Sequence, residues 1–209
     1  MRIKICGLTR LDQAVAISSM GASVLGFICV KQSPRYVTPD VIETIAQAIP
    51  PIDRFGVFAN APLEEIKQTK GYLTGIQLHG QESPADCQKI RVALPEMELI
   101  KALRIRNSQD LVQIKEYAPY VDTFLLDAYH PQQLGGTGHT LDWETLKSFR
   151  PEKPWFLAGG LRPDNVTQAL SILTPNGIDL SSGVENAPGD KNLQKVEQLI
   201  KAVKTVYTK

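Results

Sequence analysis

Two short segments in the last quarter of the chain have the composition of a phosphate-binding site. Gly159-Gly160 follows the apolar run at residues 155–158, and Ser181-Ser182-Gly183 follows the apolar run at residues 177–180. We call these segments the first and second phosphate loops. They offer backbone N–H groups and hydroxyls to an anion, and a helix expected to begin at Pro163 would add the positive end of its dipole. Either loop alone is more typical of a tight turn, but the pair predicts binding of a small phosphorylated molecule.

Cys6 and Asp127 have the chemistry of a base and an acid. Cys6 ends the first apolar segment and precedes Gly7, a position that favours a partly exposed thiol able to form a thiolate. Asp127 ends the apolar run at residues 123–127, where partial removal from water favours the protonated form that a general acid needs. The alternative for Cys6 is a cysteine that only packs in the core. The alternative for Asp127 is a carboxylate in a helix cap or in a loop ion pair.

Three further polar residues follow predicted strands and could contact a ligand. Arg35 lies in the loop after the second predicted strand, where its guanidinium could hold a carboxylate with two hydrogen bonds, although a lone arginine is more typical of a surface. His79 is expected either to touch the ligand or to be a hydrogen-bonded structural histidine. Asp179 is expected to support the second phosphate loop rather than to react. The glycine-rich stretch at residues 135–138, which ends in Gly138, is predicted to fold over the ligand.

Local patterns place helices between the apolar runs. Thr9 and Asp12 are spaced as a capping pair for the first helix, whose apolar stripe includes Leu11 and Val15. Ser83-Pro84 is typical of a helix start, with serine as the cap and proline in the first turn. A strand followed by a helix is therefore the repeating unit of the chain.

The number of these units predicts the fold. Apolar runs begin at residues 2, 24, 54, 75, 99, 123, 155 and 177, and each precedes a helical pattern. Eight units with continuous rather than alternating strands favour a closed (β/α)8 TIM barrel, an α/β fold, over an open doubly wound sheet. We therefore predict a single domain over residues 1–209, with its chemistry at the carboxyl ends of the strands.

Composition and charge argue against several classes of partner. The 209 residues include 23 basic and 22 acidic side chains, a net charge of +1, so no broad basic field indicates a nucleic-acid partner. No signal peptide is evident and no apolar run approaches the ~20 residues of a membrane span, so we expect a cytoplasmic protein with no membrane partner. Cys6, Cys29 and Cys87 lack the spacing of a disulfide framework or a zinc site, so no metal is expected. A monomer or a homodimer is expected.

Eight short motifs spread in order over the whole chain resemble those of the phosphoribosylanthranilate isomerase family. Each motif alone is modest, but the set is highly specific, and no position that the family uses for chemistry departs from the pattern. The motifs are Lys4-Ile5-Cys6-Gly7-Leu8-Thr9, Ser33-Pro34-Arg35, Gly56-Val57-Phe58, Gln77-Leu78-His79-Gly80, Leu126-Asp127-Ala128, Gly135-Gly136-Thr137-Gly138, Leu157-Ala158-Gly159-Gly160-Leu161 and Asp179-Leu180-Ser181-Ser182-Gly183-Val184-Glu185.

The resemblance implies an enzyme of tryptophan biosynthesis that works without metal or cofactor. It implies an Amadori rearrangement of N-(5-phosphoribosyl)anthranilate to the corresponding aminodeoxyribulose phosphate. Cys6 would be the general base, Asp127 the general acid, and Arg35 the partner of the anthranilate carboxylate. The phosphate would be held by the backbone of Gly138 and of the two phosphate loops.

Three other functions fit parts of the pattern. A phosphosugar epimerase would need metal-binding His and Asp residues at several strand ends. A synthase that closes an indole ring would need a catalytic lysine paired with glutamate, but Lys4 lies inside the first strand and Lys101 is expected to lack such a partner. A non-catalytic barrel that binds a phosphorylated metabolite would keep the phosphate loops and lose the acid or the base, whereas Cys6 and Asp127 are both present.

Overall fold

The computed structural model of the protein describes residues 1–128 and 143–207. Eight parallel strands follow one another in sequence order around a closed barrel, and the eighth pairs with the first. This confirms the predicted (β/α)8 barrel. The strands are β1 (Arg2–Cys6), β2 (Val24–Ile28), β3 (Asp53–Phe58), β4 (Gly75–Leu78), β5 (Glu98–Ile105), β6 (Thr123–Ala128), β7 (Trp155–Leu157) and β8 (Gly177–Leu180).

Helices surround the barrel, and a small hairpin follows the last barrel strand. The helices are α1 (Leu11–Met20), α2 (Pro39–Ala48), α3 (Leu63–Lys67), α4 (Pro84–Ala93), α5 (Ile114–Tyr117), α6 (Trp143–Leu146), α7 (Val166–Ile172) and α8 (Leu193–Tyr207). Short 3₁₀ turns cover Ser108–Gln113 and Ser182–Val184. The hairpin, which the sequence did not predict, pairs β9 (Glu185–Ala187) with β10 (Asp190–Lys191).

The strands bury both of their faces, which explains their continuous apolar sequences. Alternate residues point into the barrel or toward the helices, because side chains change face at every step along a strand. One buried cluster fills the middle of the barrel, and a larger one packs the strands under the helices. The inner cluster consists of Val24, Phe55, Ile100, Ala102, Leu125, Phe156 and Ala158.

An arginine closes the amino-terminal end of the barrel. Arg2, the first residue of β1, donates hydrogen bonds to Glu98 Oε1 and to Asp53 Oδ2, both at 2.7 Å. Glu98 and Asp53 are the first residues of β5 and β3. Its guanidinium also lies over the rings of Phe55 and Phe156, 5.6 and 5.3 Å from their centroids. Charge pairs and aromatic rings therefore fill this end, and the opposite end remains for a ligand.

The predicted cap of the first helix is wrong. Thr9 Oγ1 donates to the backbone oxygen of Gly189 at 2.7 Å, so the hydroxyl ties the β1–α1 loop to the hairpin instead of capping α1. The helix begins with Arg10 as its N-cap, without a side-chain cap bond. Leu11 and Val15 are 40% and 39% exposed, so they do not belong to the buried stripe either.

The predicted helix starts near residues 83 and 163 have different outcomes. Ser83 caps α4 as predicted, and the Asp86 side chain completes a reciprocal capping box. The helix after β7 begins at Val166 rather than at Pro163. Asn165 explains the later start. Its side-chain oxygen accepts a hydrogen bond from the Arg162 N–H at 2.8 Å, and its side-chain amide donates to the Gly160 oxygen at 3.0 Å. These bonds stabilise a turn in place of the first turn of the helix.

Two further observations concern membrane spans and thiols. Within residues 1–128 and 143–207, no helix combines the length and the apolar character needed to cross a membrane. All three cysteines, Cys6, Cys29 and Cys87, are free thiols, as expected from a sequence without a disulfide framework, and all three are buried.

Candidate active site

A cavity of about 550 Å³ opens at the carboxyl ends of the barrel strands. Its volume lies in the range of small-molecule sites. The glycine-rich stretch at residues 135–138, with the predicted site residue Gly138, lies outside the described part of the chain. The predicted residues that line the cavity are Cys6, Arg35, His79, Asp127, Gly159, Gly160, Asp179, Ser181, Ser182 and Gly183.

Cys6 occupies the last position of β1 and lies across from β2. Its neighbour in register is Gly26, and a Cβ atom on that glycine would come within 2.7 Å of the Cys6 sulfur. The thiol lines the cavity but is only 5% exposed, so the prediction of a partly exposed side chain is wrong. Burial raises the pKa of the Cys6 thiol, and the Lys4 ammonium partly opposes that rise. The group is therefore a buried thiol that needs a nearby positive charge to ionise.

Lys4 is a buried residue of the site that sequence reasoning missed. It is fully buried on β1, two positions before Cys6, and its Nζ donates to Asp179 Oδ1 at 3.0 Å. Residues two apart on a strand share a face, so the signal was available in the sequence as a charged residue in phase with Cys6. Asp179 was expected to support the second phosphate loop, but within the described residues its hydrogen-bond partner is Lys4 on the neighbouring strand.

Asp127 presents a carboxyl group to the cavity from the end of β6. It is 6% exposed, and its Oδ1 accepts a hydrogen bond from the Ala128 N–H at 2.9 Å. Gly159 approaches this oxygen so closely that a Cβ there would lie 3.0 Å from it, and the backbone of Gly159 is left-handed with φ +83°. Glycine at 159 therefore lets the first phosphate loop pack directly against the acid.

His79 lies beside Asp127. Its Nε2 is 3.4 Å from Asp127 Oδ2, and its Nδ1 is 2.8 Å from the side-chain nitrogen of Gln77. When the Gln77 amide donates to Nδ1, the neutral ring carries its proton on Nε2 and directs it toward Asp127. The histidine thus has a structural partner and also lies at the cavity wall.

Arg35 is held by an internal carboxylate. Its Nη2 donates to Glu185 Oε2 at 2.7 Å and its Nε donates to Oε1 at 3.0 Å, the paired geometry predicted for a carboxylate ligand. The stem of Arg35 fits against Gly7, where a Cβ would lie 2.7 Å from Arg35 Cδ. Nη1 donates to no acceptor within the described residues, so it is the part of the guanidinium that remains for a ligand.

Glu185 is fixed from the hairpin side as well. Its Oε1 accepts from Lys191 Nζ at 2.7 Å and from the Gly189 N–H at 3.1 Å. Burial raises the pKa of the Glu185 carboxyl, but Arg35 and Lys191 lower it by more, so the net pKa lies below its usual value. Sequence reasoning missed Glu185 and Lys191 as site residues, because both lie on the short hairpin that has no clear strand pattern.

The two phosphate loops meet at the rim of the cavity. Gly159 and Gly160 have left-handed backbones, and their N–H groups donate to no backbone oxygen of the described residues. A Cβ on Gly183 would lie 1.9 Å from the Leu161 oxygen, so glycine is required where the loops touch. Lys191 Nζ lies 3.4 Å from Ser181 Oγ and adds a buried positive charge behind the second loop. With the helix start delayed to Val166, backbone N–H groups and this cation, rather than the dipole of a helix at Pro163, favour an anion here.

Lys101 does have a glutamate partner, which corrects one argument from the sequence. Its Nζ donates to Glu82 Oε2 at 2.8 Å and to the Gly80 oxygen at 2.9 Å. Ile100 and Ala102 point into the barrel, so Lys101 between them points toward the helices. The pair does not line the cavity and offers no catalytic lysine there. Among the residues described, no three His, Cys, Asp or Glu side chains are grouped to hold a metal ion.

Comparison with known proteins assigns the family. A family model for N-(5'-phosphoribosyl)anthranilate (PRA) isomerase matches residues 3–202. The N-(5'-phosphoribosyl)anthranilate isomerase of Acaryochloris marina is 60% identical over 215 aligned residues and covers 99% of both chains. The solved phosphoribosyl anthranilate isomerase of Thermotoga maritima is 35% identical with a TM-score of 0.90, covering 98% of this chain and 99% of that one. A solved phosphoribosyl anthranilate isomerase in complex with reduced 1-(o-carboxyphenylamino)-1-deoxyribulose 5-phosphate is 33% identical with a TM-score of 0.86 and the same coverage. The chain therefore belongs to the N-(5'-phosphoribosyl)anthranilate isomerase family.

Proposed function

We propose that the protein isomerises N-(5-phosphoribosyl)anthranilate to 1-(2-carboxyphenylamino)-1-deoxyribulose 5-phosphate. The observation that carries the proposal is that Cys6 and Asp127 line one cavity together with both phosphate loops. The reaction is an Amadori rearrangement, which needs one base, one acid and a hold on the phosphate. The reduced compound bound to the relative of known structure has the same carbon skeleton as this product.

Substrate binding uses the two charged ends of the molecule. The phosphate group would accept hydrogen bonds from the backbone of Gly159, Gly160 and the second phosphate loop, with Lys191 as the buried cation behind it. The anthranilate carboxylate would lie against Arg35 Nη1. Because Glu185 fixes the guanidinium before substrate arrives, little rotational freedom is lost on binding.

Ring opening comes first and uses Asp127. The protonated carboxyl donates its proton to the ribose ring oxygen, the bond from that oxygen to C1 breaks, and the anthranilate nitrogen supplies electrons to form an iminium. The His79 side chain at 3.4 Å and the Ala128 N–H at 2.9 Å surround the carboxylate that remains.

Proton abstraction then uses Cys6. The thiolate removes the proton from C2, and the electron pair of that bond forms a C1–C2 double bond and neutralises the iminium. The resulting enolamine gains a proton at C1 and loses one from its hydroxyl group, which gives the ketone. The iminium is the only electron sink that these steps require.

We propose that one copy is sufficient for activity, in either a monomer or a homodimer. Among the described residues, those that line the cavity belong to the barrel strands and to the loops that follow them. We also propose a cytoplasmic location, because three buried free thiols suit a reducing compartment.

A fluorescence assay tests the proposed function directly. Freshly made N-(5-phosphoribosyl)anthranilate is mixed with purified protein, and the decay of its fluorescence is followed. We expect a decay much faster than spontaneous breakdown, with the ketone as the product identified by mass and NMR. A fluorescence decay no faster than that of the protein-free control would contradict the proposed function. It would favour a non-catalytic barrel that binds a phosphorylated metabolite.

A further inference from the structure

A buried ion pair between Lys4 and Asp179 lies beneath the cavity, and Lys4 is two positions before Cys6 on β1. Lys4 has no solvent exposure, and the side chain of its partner Asp179 is 9% exposed. Val24, the registered neighbour of Lys4 on the other side of β1, belongs to the apolar inner cluster. Asp179 is thus the counter-ion that makes a charged lysine tolerable at this depth.

This placement is costly for a residue that only fills space. Removing an ammonium group from water is expensive, and an apolar side chain of similar volume often serves the stability of a core equally well. Several other barrel strands carry apolar residues on their inward faces, including Phe55, Ile100 and Leu125. A charged residue at position 4 therefore calls for an explanation in the chemistry next to it.

That chemistry is at Cys6, on the same inward face of the same strand. Successive inward positions of a strand are neighbours, so the ammonium of Lys4 lies next to the thiol of Cys6, beneath the cavity. Gly26 leaves room for the sulfur on the β2 side, where any larger residue would collide with it. Asp179 restrains the lysine from the β8 side.

We propose that Lys4 is a positioning residue for catalysis, whose buried ammonium, held by Asp179, stabilises the thiolate form of Cys6. This inference rests on the proposed function, in which the thiolate is the base. Lys4 does not touch the reacting atoms and acts only through Cys6. It supplies the positive charge that a buried thiol needs in order to ionise.

The charges around the thiol agree with this role. Burial raises the pKa of Cys6, and of the neighbouring charges Lys4 opposes the rise most, ahead of Lys191 from the hairpin, while Asp179 adds to it. Burial lowers the pKa of Lys4, but Asp179 and Cys6 raise it by more, so the ammonium stays protonated. Lys191, which is paired with Glu185 at 2.7 Å, acts on the thiol more weakly than Lys4.

The test measures thiolate formation in the absence of substrate. The ultraviolet absorbance of the thiolate is titrated with pH in the parent and in Lys4→Met, and the Cys6→Ser signal is subtracted. This subtraction also removes the signals of Cys29 and Cys87, whose pKa values burial raises to about 12 and about 11. We expect the Cys6 midpoint to move to higher pH in Lys4→Met. A shift of one unit corresponds to about tenfold less thiolate at any pH below the midpoint.

Two paired variants control for folding. Lys4→Met with Asp179→Asn removes both charges, leaves no lone buried ion, and should still raise the midpoint, because Lys4 has the larger effect on the thiol. Lys101→Met with Glu82→Gln removes a buried pair of similar geometry on the helix-facing side, 2.8 Å between its charged atoms, and should leave the midpoint unchanged.

Three outcomes decide the proposal. An upward shift in the Lys4 variants and none in the Lys101 pair supports it. A parental midpoint in a folded Lys4→Met protein, or in the double variant if the single one does not fold, overturns it. A shifted midpoint in a protein whose parent shows no isomerase activity would overturn the proposed function while the coupling of Lys4 to Cys6 stands.

Discussion

At the scale of single residues, the site relies on charges that are paired before substrate arrives. Arg35 with Glu185 and Lys4 with Asp179 are buried or nearly buried pairs, with side-chain exposures between 0% and 12%. A buried ion pair loses the hydration of both charges, but its geometry is fixed. A cation with fixed geometry can hold a charged group of the substrate in a defined position.

Arg35 should be sensitive to a change that keeps its charge. Arg35→Lys loses the two-pronged contact with Glu185 and the Nη1 donor, so KM for the phosphoribosylated substrate should rise about tenfold or more, with a smaller change in kcat. Steady-state kinetics measures both constants. Arg54→Lys is a matched control, because Arg54 donates to the backbone oxygens of Ile52 and Tyr72 away from the cavity. A parental KM in Arg35→Lys would show that the Arg35 guanidinium does not contribute to substrate binding.

Glu185 should make stability depend on pH in the acid range. The folded-state pKa of Glu185 lies below its ordinary value of 4.5, so its stabilising effect is present above that pH and is lost as the pH falls through the folded value. Urea unfolding of the parent and of Glu185→Gln should therefore show a gap in the free energy of unfolding that narrows below pH 4.5. A gap that stays constant over the acid range would contradict the assigned shift.

The residue types of the site were accessible from the sequence, but their environments were not. Cys6, Asp127 and Arg35 were found because polar residues at the ends of apolar runs converge at one rim of a parallel barrel. The burial of Cys6 and the pairing of Arg35 with Glu185 depend on neighbours that are distant in sequence. Local pattern carries no information on such contacts.

At the scale of elements, the two phosphate loops have separate requirements for backbone shape and for charge. Gly160 has φ +65°, so any side chain there strains the backbone. Gly160→Ala and Gly160→Asp share this strain, and only the second adds a negative charge where the phosphate group is expected.

We therefore predict that Gly160→Asp raises KM well beyond the effect of Gly160→Ala, while both lose stability to a similar degree, on the order of 1 kcal/mol for the left-handed backbone. Steady-state kinetics and thermal unfolding of the two variants provide the comparison. Equal KM values in the two variants would place the phosphate elsewhere.

Strands were easier to predict than helices for a physical reason. A barrel strand is buried on both faces, so its apolar run is unbroken and visible, as in β6 with all six residues buried. Several helices are only four or five residues long, such as α3, α5 and α6, and such lengths are stable only through tertiary packing. The hairpin β9–β10 is equally short, and its turn contains Gly189 in the left-handed region at φ +84°.

At the scale of the whole molecule, barrel closure brings the two ends of the chain to one site. β1 pairs with β8, which places Lys4 next to Asp179 and the Cys6 end of β1 near the second phosphate loop. The site is therefore formed only when the ring of strands is complete. Partial barrels that lack β8 would lose the counter-ion of Lys4 and half of the phosphate site.

We propose that the chain is a single domain and predict one cooperative unfolding transition. Tryptophan fluorescence reports the packing of β7 through Trp155, which is buried and packs against Phe149. Far-UV circular dichroism reports the helices. Urea titrations followed by both signals should coincide within error. Two separated transitions would show that part of the barrel folds independently.

The most direct test of the account is the set of kcat values for the parent, Cys6→Ser, Asp127→Asn and the double variant, from the fluorescence decay of the phosphoribosylated anthranilate. Serine keeps the size of cysteine but barely ionises near neutral pH, and asparagine keeps the shape of the acid without its proton. We predict that each single change lowers kcat by at least ~10²-fold and that the double variant is little worse than the poorer single one, because both groups serve one reaction path. A near-parental kcat in folded Cys6→Ser or Asp127→Asn would contradict the account and move that role to another group, with His79 the first candidate for the base.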